Sequence, residues 1–134
     1  MQCPVKSFLA PLQGQILSIL RMVSAYAFIL HGTTKAFGFP MAAPPNFSWS
    51  SIYGVATALE LGGGALLFLG LLTRPVAFLL SGQMAIAYFM AHASIYPMVK
   101  HGEAAMLFSF IFLYLAAAGG GAWSLDRLFC RRPN

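Results

Sequence analysis

Residues 14–37 read GQILSILRMVSAYAFILHGTTKAF, a continuous apolar stretch whose only formal charges are Arg21 and Lys35. A bilayer crossing needs about 20 predominantly apolar residues, so this segment is long enough to span. Three further runs of the same character follow at about 51–72, 75–97 and 102–122, separated by short polar breaks. Only 8% of the 134 residues are charged and 59% are hydrophobic, whereas a soluble domain carries about 25% charged residues. A solvated surface cannot be built from so few ions, and the expected fold is an all-α integral membrane protein, a four-helix transmembrane bundle running up-down-up-down as one domain. The runs lack the alternating ten-residue pattern of barrel strands. The net charge of +5 is spread thinly and does not form the basic stripe interleaved with aromatics that nucleic acid requires.

The breaks have their own chemistry. Gly38 and Pro40 end the first run, and Pro44, Pro45 and a serine-rich stretch hold the chain in a loop whose Phe39, Phe47 and Trp49 suit the headgroup level. Leu72-Thr73-Arg74-Pro75 is all that separates the second and third runs; Thr73 is expected to cap and Pro75 to occupy a first helical position. Pro97 is expected to close the third helix, and Glu103 falls in the first turn of the fourth, where the helix dipole favours a carboxylate. Because Arg21 interrupts the first apolar stretch and the segment continues to full spanning length, it is read as a retained span and not as a cleaved signal. An even number of spans puts both ends on one side. That side holds Lys6, Arg74, Arg127, Arg131 and Arg132 against Lys35 and Lys100 on the other, so both termini are expected in the cytoplasm of a bacterial inner-membrane protein. Cys3 and Cys130 then face a reducing compartment and read as free thiols.

The few polar residues inside the runs recur at helical spacing. Arg21, Ser24, Phe28, His31 and Lys35 share one face of the first helix, and Tyr53, Thr57, Glu60, Gly64, Leu67 and Arg74 one face of the second. Met84, Tyr88 and His92 align on the third; Glu103, Leu107, Phe110 and Tyr114 align on the fourth. A lone ion at mid-bilayer costs on the order of 2.5–3.5 kcal/mol, so these seams are expected to face inward and pair. Arg21, Lys35 and Arg74 can be set against Glu60 and Glu103; depth favours Arg21 with Glu60, with Arg74 snorkelling to headgroups. His31, Lys35, His92 and Glu103 converge toward the outer side, where groups of both signs could bind an anionic or carbonyl head group and move protons. One ligand type per helix also permits a metal or a bis-histidine haem, but the paired Glu-x-x-His signature of carboxylate-bridged bundles is missing, and the metal reading is the weaker one. Gly62-Gly63-Gly64 and Gly119-Gly120-Gly121 are expected to let helices approach closely, with homodimerisation through small-residue faces a further expectation.

These residues together resemble the DoxX family of small four-span membrane proteins, over about Leu20 to Leu128. The resemblance is carried by Arg21, by His31-Gly32 with Lys35 and Phe37-Gly38, by Glu60-Leu61-Gly62-Gly63 and by Gly70-Leu71-Leu72-Thr73-Arg74. It continues through His92, His101-Gly102-Glu103, the glycines at 119–121 and Ser124-Leu125-Asp126. His101 departs from the glycine or asparagine context more usual there. The resemblance implies an oxidoreductase grouping, since some members resemble the small subunit of an archaeal thiosulfate:quinone oxidoreductase and others are linked to membrane redox-defence assemblies. On that basis the expected function is a membrane redox subunit that binds a quinone at the polar seam, with His31, His92 and Glu103 as proton-carrying catalytic residues. Arg21, Lys35, Glu60 and Tyr88 are the expected ligand-binding residues. The chain has no evident redox centre of its own, so electrons would come from a protein partner in the membrane or from a bound cofactor. Two alternatives stand beside it: a noncatalytic assembly subunit whose loop at 39–50 docks a partner, and a carrier of a small solute, lipid or metal.

Overall fold

The computed structural model describes residues 8–130. Cys3, Lys6, Arg131 and Arg132 lie outside them, together with what the sequence suggested for each. The described chain is helical throughout, with no strand among its residues. A 3₁₀ turn at Ala10–Leu12 leads into α1 (Gln13–Phe37); α2 (Ile52–Leu69), α3 (Thr73–Ala87), α4 (Glu103–Ala118) and a short α5 (Leu125–Phe129) follow.

Neighbouring helices are antiparallel, as short connections require. Lys35 and Gly32 of α1 lie against Glu60, whereas Arg21, three to four turns earlier, lies against Leu67 and Phe68. Ser81 and Ser109 tie α3 to α4 reciprocally, each hydroxyl donating to the other residue's carbonyl at 2.8 and 3.1 Å. Gly63 admits Leu80 across the α2–α3 hairpin, and Gly64 admits Ile29 of α1, so that a Cβ at Gly64 would stand 2.6 Å from Ile29 Cγ1. Gly62 faces open space and serves neither contact. The centre is closed by aromatics: Phe28 stands edge-on to Phe112 at 5.0 Å between centroids, and Phe108 lies 5.6 Å from each. Such pairs add about 0.5–1.5 kcal/mol each beyond the area they bury.

Val23, Val55, Phe78, Ile86 and Phe110 point outward on the bundle flanks. An exposed apolar belt on every long helix is a surface built for lipid, whose interior also demands that backbone groups bond within the helices. The stretch Ala10–Phe37, α2 and Thr73–His92 are long and apolar enough to cross a membrane; α4 is apolar but shorter, with 16 residues.

Several boundaries differ from the sequence-based expectation. The fourth run stops being helical at Ala118, because Gly119 and Gly121 take φ values of 89° and 83° and turn the chain back under the bundle. The third helix becomes a π-helical turn at Tyr88–His92 and ends there, so Pro97 opens a separate 3₁₀ turn (Pro97–Lys100) and does not close the third helix. Thr73 is the first residue of α3 and does not cap it; the cap comes from Asp126, far along the chain. On α4 the stripe Glu103, Leu107, Phe110 and Tyr114 faces outward, and the inward face is Phe108, Phe112 and Leu115.

Candidate functional site

The bundle has two polar regions. One lies at the end that carries both described termini. Arg21 is fully buried there, and its guanidinium is shared among backbone carbonyls from two other parts of the chain. Nε donates to Gly120 O at 2.8 Å, Nη2 to Trp123 O at 2.9 Å, and Nη1 to Leu67 O and Phe68 O. Leu67 and Phe68 belong to the last turn of α2, whose carbonyls lack the usual partner four residues on; Leu67 O also accepts from the capping Gly70 N–H at 3.1 Å. A cation placed there also meets the negative end of the helix dipole. Arg21 therefore acts as a C-cap from a neighbouring helix, and the expected Arg21–Glu60 pair does not form: Glu60 is two turns up α2, about 10 Å along its axis.

Ser18, one turn before Arg21, completes the contact. Its hydroxyl donates to Gly14 O at 2.9 Å and accepts from Trp123 N–H at 3.0 Å. Gly120 must be small here, since a Cβ would lie 2.5 Å from Ser124 Cβ and 2.9 Å from the Thr73 hydroxyl. Asp126 then receives Leu72 N–H at 2.7 Å and Thr73 N–H at 2.8 Å, satisfying the start of α3. Burial raises the Asp126 carboxyl, but the Thr73 and Leu72 donors and the nearby Arg21 charge outweigh it and hold the group below its ordinary value. Arg74 donates to Ala116 O and Ala117 O at the end of α4, so it caps a helix as well as lying exposed toward headgroups.

The second region lies toward the other end. Lys35 Nζ donates to Glu60 Oε1 at 2.6 Å, and Glu60 is 2% exposed while Lys35 is 26% exposed. Glu60 Oε2 is buried and has no hydrogen-bond partner. His31, one turn before Lys35, is exposed and stands edge-on to Phe108 at 5.8 Å. His92 lies in the π-helical turn with Nδ1 2.7 Å from Lys100 O, and Tyr88 donates its hydroxyl to Ser94 O at 2.7 Å. Gly102 packs against both His92 and Tyr88, where a Cβ would come within 2.6 Å of His92 Cβ; Glu103 beside it is exposed. The expected site residues thus fall into four sets: Lys35 with Glu60, Tyr88 with His92 beside Gly102 and Glu103, His31 exposed against Phe108, and Arg21 at the opposite end. No group of three or more His, Cys, Asp or Glu residues that could hold a metal occurs among the described residues.

Ser18 and Asp126 were given no role from sequence. Ser18 carried a signal, a polar residue three positions before Arg21 on the same face. Asp126 stood among the residues that carry the family resemblance, but nothing pointed to its capping role, because its partners lie more than 50 residues earlier.

Several apolar helices with lipid-facing flanks and a few buried ions define a small multi-pass membrane protein. Comparison with known proteins names the group: the DoxX family profile matches residues 16–93, more than half of the chain. The chain belongs to the DoxX family. It is also similar to a Haemophilus influenzae protein described as uncharacterized, with 42% identity over 123 residues, covering 87% of this chain and 92% of that one. No solved structure matches.

Proposed function

We propose that this protein is a subunit of a redox system in the bacterial inner membrane, its termini cytoplasmic, and that it binds a quinone or a similar carbonyl-bearing ligand at Lys35–Glu60. The observation that carries this reading is the buried ion pair with one carboxylate oxygen uncommitted. An acceptor buried without a partner costs about 1–3 kcal/mol, more when charged, and a ligand hydroxyl would remove that cost. The donor set suits a quinone: the Lys35 ammonium can stabilise negative charge developing on a carbonyl oxygen, and Glu60 Oε2 can accept a hydrogen bond from the reduced form. Quinone, when bound, would supply the electron-accepting chemistry. His31, His92 and Glu103 would carry protons between this pair and the surface, in keeping with the exposure of His31 and Glu103. Electrons would come from a protein partner in the membrane.

The test is thermal unfolding of the purified protein with a short-chain quinone. Wild type should be stabilised in a dose-dependent way, and Glu60→Gln, which keeps the volume of the side chain, should lose most of the effect. Equal shifts in both proteins, or none in wild type, would reject the reading.

A second reading, a noncatalytic assembly subunit, is favoured by one observation. Arg21, Asp126 and the glycines at 119–121 are all committed to joining helix ends. It predicts a stable co-purifying partner whose retention survives His31→Ala and His92→Ala.

A further inference from the structure

A groove of about 590 Å³ opens at the end of the bundle where the described residues begin and end, between the first turn of α3, the glycines that follow α4, and α5. Arg74 and Arg127 both line it, with Thr73, Gly119, Ser124 and Cys130 among the other walls. Each arginine spends only Nη1 on backbone, Arg74 on Ala116 O and Ala117 O and Arg127 on Ala122 O at 3.4 Å. Neither has an ion-pair partner among the described residues. Asp126, the acid in the groove wall, has its two oxygens occupied by Leu72 N–H and Thr73 N–H, and the buried Arg21 offsets its charge. The groove is therefore net positive, with guanidinium donors uncommitted on its walls. It lies where the apolar helices end, the depth of lipid headgroups, and Trp123 is exposed beside it as an interfacial anchor.

We propose that this groove binds a phosphate-bearing anion, supplied either by an anionic phospholipid headgroup or by free phosphate. Guanidinium groups match phosphate oxygens with paired donors, and the backbone contacts of Nη1 hold each fork in place before the ligand arrives. The site is separate from Lys35–Glu60 and does not depend on what binds there.

Cys130 lines the groove and is exposed, so its thiol reports occupancy. The full chain carrying Cys3→Ser would be placed in bilayer discs of phosphatidylglycerol with phosphatidylcholine, or of phosphatidylcholine alone, and Cys130 labelled with a maleimide. A parallel set in neutral detergent would receive inorganic phosphate. Phosphatidylglycerol should slow labelling several-fold. Arg127→Gln, an exposed position whose loss leaves the helix caps intact, should remove most of its share, and Arg127→Gln with Arg74→Gln nearly all of it. Slowing by phosphatidylglycerol alone assigns the anion to lipid; slowing by inorganic phosphate as well assigns a general phosphate site. Unchanged labelling under both anions overturns the proposal. So does slowing that persists undiminished in Arg127→Gln with Arg74→Gln, because surface potential alone would produce it.

Discussion

Replacing Arg21 with methionine keeps most of the side chain's length and apolar volume while removing every donor and the charge. Four carbonyls, those of Leu67, Phe68, Gly120 and Trp123, then lose a charge-assisted hydrogen bond from a fully buried side chain. Such bonds contribute about 1.5–3 kcal/mol each in soluble proteins. The average in membrane interiors is nearer 0.6 kcal/mol, because the reference state there also finds partners. Four bonds at about 0.8–1.2 kcal/mol each, between these limits, give roughly 3–5 kcal/mol. Arg21→Lys should recover only part of this, since one ammonium has no planar fork to divide among carbonyls on different segments. The measurement is equilibrium unfolding in mixed lipid–detergent micelles, followed by helical circular dichroism. Methionine should cost about 3–5 kcal/mol and lysine about half as much. A methionine variant within about 1 kcal/mol of wild type would refute the claim that Arg21 fastens α1 to the ends of α2 and α4.

Asp126→Asn should destabilise the protein at neutral pH by removing the anionic cap of α3, and the two proteins should converge in acid. The folded carboxyl lies below its ordinary value, so its contribution is present above the unfolded pKa of about 3.9 and is lost as pH falls through the folded one; melting temperatures across an acid series check this. Gly120→Ala should destabilise by more than 1 kcal/mol, because the added Cβ would meet Ser124 and Thr73 at 2.5 and 2.9 Å, whereas Gly62→Ala, facing open space, should be neutral or slightly stabilising. Lys35→Met alone should cost about 3 kcal/mol by leaving the Glu60 charge buried, and Lys35→Met with Glu60→Leu should return most of it, as a double-mutant cycle would show.

Arg21 shows where sequence reasoning reaches and where it stops. Its place on the inward seam with Ser24 and Phe28 follows from helical spacing and the cost of an ion in lipid, and all three are buried. Its partner does not follow, because the register that sets it opposite Leu67 and not Glu60 depends on how Gly32 and Gly64 let α1 and α2 close together. The inward face of α4 was hidden for another reason. Residues 107–115 are apolar but for Ser109 and Tyr114, so polarity marks the buried side weakly; Ser109 bonds Ser81 of α3, but Glu103 with Tyr114 suggested the wrong face. Asp126 acts on a helix start more than 50 residues away, and nothing local announces that. Glu60, by contrast, was legible as a buried acid in need of a cation, and Lys35 was among the cations set against it.

The proposed function divides the labour: Arg21 and its surroundings hold the bundle, and Lys35 with Glu60 would hold a ligand. Quantifying quinone by mass spectrometry in protein extracted with its native lipids tests this most directly. Wild type and Asp126→Asn should retain quinone in comparable amounts, and Glu60→Gln should retain little while unfolding at nearly the wild-type temperature. Quinone absent from wild type, or retained equally by Glu60→Gln, would contradict it.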